Sequence, residues 1–137
     1  MAKDIFHQIA KEILTLEGWD ITHDPLYLKS GGINVEIDLA AERVIAAEKD
    51  NEKIAIEIKS FLGRSKINDF YEAKGQYDVY REMLLNEKNP RHLYLGIEED
   101  IYKTFFQRSI IQTIIKKDAI SLWVFNPQIK CSVLWIK

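Results

Sequence analysis

Isoleucine recurs at every second position of KIAIEIK (53–59). Side chains of an extended chain alternate between faces, so Ile54, Ile56 and Ile58 point one way while Ala55, Glu57 and Lys59 point the other. The stretch reads as a strand with one apolar face and one face that mixes an alanine, an acid and a lysine. INVEIDL (33–39) alternates similarly, with Ile33, Val35, Ile37 and Leu39 opposite Asn34, Glu36 and Asp38. RVIAAE (43–48), the polar KDNE (49–52) and KIAIEIK then form a β-hairpin, with Asp50 and Asn51 suited to the turn.

The elements around this hairpin set the fold class. Residues from Asp4 to Glu17 read as a helix with Ile5, Ile9, Ile13 and Leu16 as its stripe, Asp4 at its start and Gly18 at its end. WDIT and LYLK are short strands on either side of Asp24–Pro25. A long helix runs from Lys66 to about Glu87 on the stripe Ile67, Phe70, Ala73, Tyr77, Tyr80 and Leu84, and Asn89–Pro90 end it. HLYLGI (92–97) is a strand. Residues 100–117 are helical with a phase break near Ser109, and ISLWVF and CSVLWI are closing strands. This order predicts an α/β domain in which a mixed central sheet is flanked by helices. The Glu57 strand, the long helix and HLYLGI would make one parallel crossover unit.

With 137 residues, no internal repeat and no linker-like cluster of proline or glycine, one domain spanning 1–137 is expected. A formal net charge of −2 provides no general electrostatic footprint for nucleic acid, so DNA binding would need a local patch, a partner or metal ions. The single cysteine, Cys131, sits in an apolar run and reads as a buried thiol, which fits a reducing cytoplasm. MAKDIFHQIAKEI lacks the apolar core of a signal peptide. No apolar run approaches ~18 residues, so no membrane span is expected.

The mixed face of KIAIEIK carries the chemistry. Phosphodiester hydrolysis needs hard carboxylate oxygens to hold a divalent metal, and a cation near the attacking water or the phosphate. Residues two apart on a strand lie about 6.6 Å apart and face the same space, so Glu57 could hold metal while Lys59 reaches water. Asp38 is the best second acid, with Glu42 its main rival, and the Ile58 carbonyl could be a further ligand. The plainer reading is an amphipathic hairpin with both charges solvated. Ala55 on the same face, and a crossover helix that would cover it, argue against that; a covered Glu and Lys need partners.

Other positions allow two readings each. Glu12 is either an acid at the edge of the first helix's stripe or an extra acid aimed at the metal site. Gln76 and Tyr80 are one helical turn apart, and Gln76 is either a polar flank beside a core tyrosine or an amide that contacts water, phosphate or Lys59. Glu48 near Lys53 reads as a cross-strand surface pair. His7, His23 and His92 have no metal-ligand spacing and read as surface or locally bonded residues. No glycine-rich phosphate loop and no serine or cysteine nucleophile motif is present.

Asp38, the EIK of the next strand, and a helix with Gln76 and Tyr80 together resemble the PD-(D/E)XK nuclease superfamily, the restriction-endonuclease-like fold. More closely, THDPLYLK, DLAAERVIAAEK, IAIEIKSF, KGQYDVY, LYLGI and VFNPQ resemble the XisH family, the fdxN element excision controlling factors of cyanobacteria. The resemblance implies a three-layer fold and a role in programmed excision of a DNA element, alongside a site-specific recombinase and a small companion protein, XisI. It assigns Asp38 and Glu57 as metal ligands for Mg2+ or Mn2+, Lys59 as the catalytic lysine, Gln76 as the helix-borne glutamine and Glu12 as the first-helix acid. Ile37 stands where the superfamily often has proline before the first acid. Nucleases of this fold often act as homodimers to cut two strands.

Two functions follow. One is a Mg2+-dependent DNA endonuclease, favoured by the acid, acid and lysine. The other is a catalytically inactive accessory factor that binds a recombinase, DNA or XisI, favoured by the acidic net charge.

Overall fold

The computed structural model describes residues 3–43 and 52–137. Its centre is a six-stranded mixed sheet of β1 (Asp20–His23), β4 (Leu39–Arg43), β5 (Glu52–Ile58), β6 (His92–Glu98), β7 (Leu122–Asn126) and β8 (Cys131–Ile136), in that spatial order. β5, β6 and β7 run parallel, and the outer pairings are antiparallel. β2 (Leu26–Ser30) and β3 (Ile33–Ile37) form a separate two-stranded ribbon. The helices are α1 (His7–Leu16), α2 (Lys66–Leu85), α3 (Glu99–Lys103) and α4 (Ser109–Lys117), with a 3-10 turn at Phe105–Gln107 between the last two. That turn accounts for the expected phase break: the chain changes pitch just before Ser109. α2 connects the parallel neighbours β5 and β6, as the crossover reading requires.

Helices cover both faces, which gives three layers. On one face, Phe70, Ala73, Tyr77 and Leu84 of α2 pack with Phe105, Phe106 and Ile111, and with Leu26, Leu28 and Ile37 of the ribbon. On the other, Ala10, Ile13 and Leu14 of α1 pack on Trp19, Tyr94, Trp123 and Phe125. The period-two reading of β5 holds. Ile54, Ile56 and Ile58 enter the α1-side core, and Ala55 enters the α2-side core. Each isoleucine so buried contributes about 1.5–3 kcal/mol. Glu57 and Lys59, on the parity of Ala55, therefore face α2. Ser65 starts that helix by accepting a hydrogen bond from the Asn68 amide at 3.2 Å, and Asp69 lies in its first turn, where an acid complements the helix dipole.

Several expectations need correction. INVEIDL is not one strand: β3 ends at Ile37, β4 starts at Leu39, and the chain changes sheets at Asp38. Ile37 consequently joins the α2-side core and Leu39 the α1-side core, though a spacing of two would put both on one face. The partner of β5 is Leu39–Arg43, not 43–48, and Glu52 is paired with Arg43 in the strand and does not belong to the turn. Most of the expected first strand and turn, Glu48 included, lies outside the described residues. In α1 the buried positions are His7, Ala10, Ile13 and Leu14, while Ile5 and Leu16 are exposed. Ile67, at the start of the α2 stripe, is also exposed, and α2 ends at Leu85, ahead of Asn89–Pro90. Cys131 is a free thiol but only partly buried, on the edge strand β8. No helix among the described residues is long and apolar enough to cross a membrane.

Candidate active site

The break at Asp38 builds the site. Leu39 pairs with Ile56, so continuing the register by one residue sets Asp38 opposite Glu57. Two bonds then cross between Asp38 and the end of β5. The Ile58 amide donates to Asp38 Oδ2 at 2.8 Å, and the Asp38 amide donates to Glu57 Oε1 at 3.2 Å. Side-chain carboxylates here replace the carbonyl partners of a regular ladder, which is how a short acid can interrupt a strand without orphaning its amides. The two carboxyl groups are close enough for the charge of Asp38 to act on Glu57.

Glu57 is 8% exposed. Burial, and then the charge of Asp38, push its pKa up to about 8, against the Asp38 amide and Lys59, which favour the anion. Burial likewise raises Asp38, opposed by the Ile58 amide. The pair thus retains a proton near neutral pH when no cation is present. A divalent cation would displace it. Hard oxygen donors that form no ion pair among the described residues fit such an ion. Among the described residues no three His, Cys, Asp or Glu side chains converge on one point. Mg2+ nevertheless commonly takes one or two carboxylates and completes its shell with water and phosphate oxygens.

Asp38 and Glu57 lie in a cleft of about 470 Å³. Lys59 lines it too, its backbone amide still tied to the sheet through the Gly96 carbonyl at 3.0 Å. The Lys59 ammonium donates to Glu72 Oε1 of α2 at 2.8 Å. Gln76 and Tyr80 follow Glu72 at successive turns of α2 and border the same cleft. The Gln76 Oε1 atom is buried and has no hydrogen-bond partner among the described residues. Burial, followed by the charges of Glu57 and Asp38, holds the Tyr80 hydroxyl protonated by raising its pKa to about 12.

The structure separates Glu12 and Glu42 from this group. Glu12 lies on the opposite side of α1 from its buried positions, in another surface depression, where its carboxylate meets Lys130 at 3.2 Å. The expected stripe had the wrong phase, and so misplaced it. Glu42 is near the far end of β4, 3.5 Å from Arg91 and 4.0 Å from Lys53. The first residue of α1 and the segment before it instead bring His7 and Asp4 to the cleft. Asp4 accepts hydrogen bonds from the amides of Phe6 and Ser60, both at 2.9 Å, and so ties the start of α1 to the segment after Lys59. His7 is buried and bonds Asp24 at 2.6 Å; Asp24 also receives Lys11 at 2.8 Å. His7 and Asp24 are 17 residues apart, a pairing with no local sequence signal. Glu72 had one: it precedes Gln76 by a helical turn.

The XisH protein family model matches residues 1–133. The crystal structure of an XisH family protein from Nostoc punctiforme PCC 73102 superposes with a TM-score of 0.89 at 38% identity, covering 98% of this chain and 100% of that one. That of an fdxN element excision controlling factor protein from Anabaena variabilis has a TM-score of 0.87 and 37% identity, with the same coverage of 98% and 100%. No curated protein matches the chain. With the family match running nearly end to end and both structures alike throughout, the chain belongs to the XisH family.

Proposed function

We propose that this protein acts in controlled excision of a DNA element as a Mg2+- or Mn2+-dependent DNA endonuclease of the restriction-endonuclease-like kind. The observation that carries the reading is the Asp38–Glu57 pair: a half-buried and a buried carboxyl that line one cleft and are oriented by backbone amides, with Lys59 two residues along the same strand face. Asp38 and Glu57 would hold the cation. When bound, the ion would polarise the scissile phosphate and favour hydroxide over water. Lys59 has ammonium donors to offset charge on the phosphate. Gln76 presents a buried acceptor oxygen to a water molecule, and the protonated Tyr80 presents a donor. The excision setting rests on the Anabaena variabilis relative, described as an fdxN element excision controlling factor. DNA is the substrate, with an XisI-like companion and a site-specific recombinase as partners, and a homodimer would bring one site to each strand.

A second reading, a non-cutting accessory factor that binds DNA, the recombinase or the companion, is favoured by one observation. The Lys59 charge is already matched by Glu72. A cleavage assay with Mg2+ or Mn2+ on supercoiled, linear and branched DNA separates the two. Lys59→Ala and Asp38→Ala should each lower the rate by about 100-fold or more. Unchanged cleavage in both variants would sink the mechanism. No cleavage by any form, with a measurable complex to the companion or recombinase, would favour the accessory role.

A further inference from the structure

We propose that Glu72 is a positioning residue whose carboxylate holds the Lys59 ammonium in the cleft; its kinetic consequence rests on the nuclease reading above. Lysine has a long, flexible stem, and confining it costs rotamer entropy. Something must confine Lys59, because its side chain is only 19% exposed at the mouth of an open cleft. The backbone is fixed by the Gly96 carbonyl, but that leaves the ammonium free. Among the described residues, Glu72 is the ion-pair partner and hydrogen-bond acceptor of that ammonium, at 2.8 Å. The Lys59 charge also acts on Glu57, but its ion pair among the described residues is with Glu72.

Glu72 is suited to the task because α2 is rigid where it sits. Phe70 and Ala73 on either side are buried in the core, and Ser65 caps the helix start. Glu72 itself is 63% exposed, so the pair adds little to folding stability. Its effect is geometric. One of the three ammonium donors goes to Glu72, and two stay available to water or phosphate. The i, i+4, i+8 spacing of Glu72, Gln76 and Tyr80 puts the lysine's anchor, the buried amide oxygen and the phenol on one helix face along one cleft wall. Sequence alone shows Glu72 as one surface acid of many; the cleft makes it part of the site.

The test compares wild type, Glu72→Ala and Glu72→Gln by two readouts. In the first, an amine-acylating reagent at fixed pH labels Lys59 and the exposed Lys29, and peptide mass spectrometry quantifies both. Lys59 labelling should rise severalfold in Glu72→Ala and return most of the way in Glu72→Gln, which keeps an acceptor oxygen, while Lys29 stays constant. In the second, steady-state cleavage kinetics should show kcat lowered by about 10-fold in Glu72→Ala, KM for DNA within about twofold, and partial recovery in Glu72→Gln. Unchanged or reduced Lys59 labelling in Glu72→Ala overturns the proposal, as does a higher kcat, which would make the contact inhibitory. If wild type cleaves no DNA, the nuclease reading fails, and the labelling still decides whether Glu72 holds Lys59.

Discussion

Replacing Glu57 by glutamine should make the cation-free protein more stable at pH 7.5 and leave it unchanged at pH 4. Glutamine keeps an oxygen where Glu57 Oε1 accepts the Asp38 amide, and removes the charge. The Glu57 pKa rises on folding from the ordinary 4.5 to about 8. For a group raised in the folded state, the native protein binds more protons over that interval, so stability is intact below pH 4.5 and is lost as pH climbs towards 8. At pH 7.5 most of the interval has been crossed, and at 1.36 kcal/mol per pH unit the loss approaches 4 kcal/mol as an upper bound. Relaxation around the charged pair reduces it, so a gain of about 1–3 kcal/mol is expected for the variant, roughly 3–9 °C in Tm for a domain of this size. The assay is thermal and urea unfolding of both proteins in EDTA, from pH 4 to pH 8. Adding Mg2+ should then stabilise wild type more than the variant, because only wild type keeps both carboxylates. A variant less stable than wild type at pH 7.5, or a gap that does not depend on pH, would refute the claim that the pair is held against its own repulsion.

Two further substitutions test the scaffold around the site. The buried Tyr77 hydroxyl donates to the Leu93 carbonyl at 3.1 Å and accepts from the Ser121 amide at 2.9 Å, fastening α2 to β6 and to the start of β7. Tyr77→Phe should cost about 1–3 kcal/mol in urea unfolding, with no change in slope. At Gly96, an added Cβ would lie 3.1 Å from Ile56 Cγ2 and 3.2 Å from Trp123 Cε3, contacts that neighbouring strands cannot readily release. Gly96→Ala should therefore destabilise by about 1–3 kcal/mol, measured in the same way.

Local periodicity revealed the parts of the fold that depend on local order. The three isoleucines of KIAIEIK, the α2 stripe from Phe70 to Leu84, and the β5–α2–β6 crossover were all legible because burial tracks a fixed repeat along one element. The break at Asp38 was not, since INVEIDL alternates without a flaw. What ends β3 is a pair of tertiary bonds from a strand some 20 residues away. The phase of α1 was missed for a related reason. Its buried side is selected by Trp19, Trp123 and Phe125, and it admits His7 while leaving Ile5 and Leu16 in solvent. That error moved Glu12 on to the cleft side and left His7 out. Asp38, Glu57, Lys59 and Gln76 do meet in one cleft, because each lies in an element whose orientation was read correctly or, for Asp38, at a position whose register with β5 survives the break.

A comparison of the acids shows why the site belongs at Asp38 and Glu57. Several carboxylates elsewhere already have protein cations against them: Glu12 has Lys130, Glu42 has Arg91, Glu52 has Arg43, and Asp24 has Lys11 and the imidazole of His7. These groups would have to lose a partner before binding an ion, and several are exposed enough that their pairs are weak in any case. Asp38 and Glu57 are deeper, yet their hydrogen bonds come from backbone amides, which orient an oxygen without cancelling its charge. Burial raises the pKa of both carboxyls and the Asp38 charge adds to the rise at Glu57, and a chain selected only for stability would replace one with an amide or an aliphatic side chain. Keeping both therefore makes physical sense if a cation or a proton is meant to sit between them, and the pH dependence of Glu57→Gln measures how strongly the empty pair works against the fold.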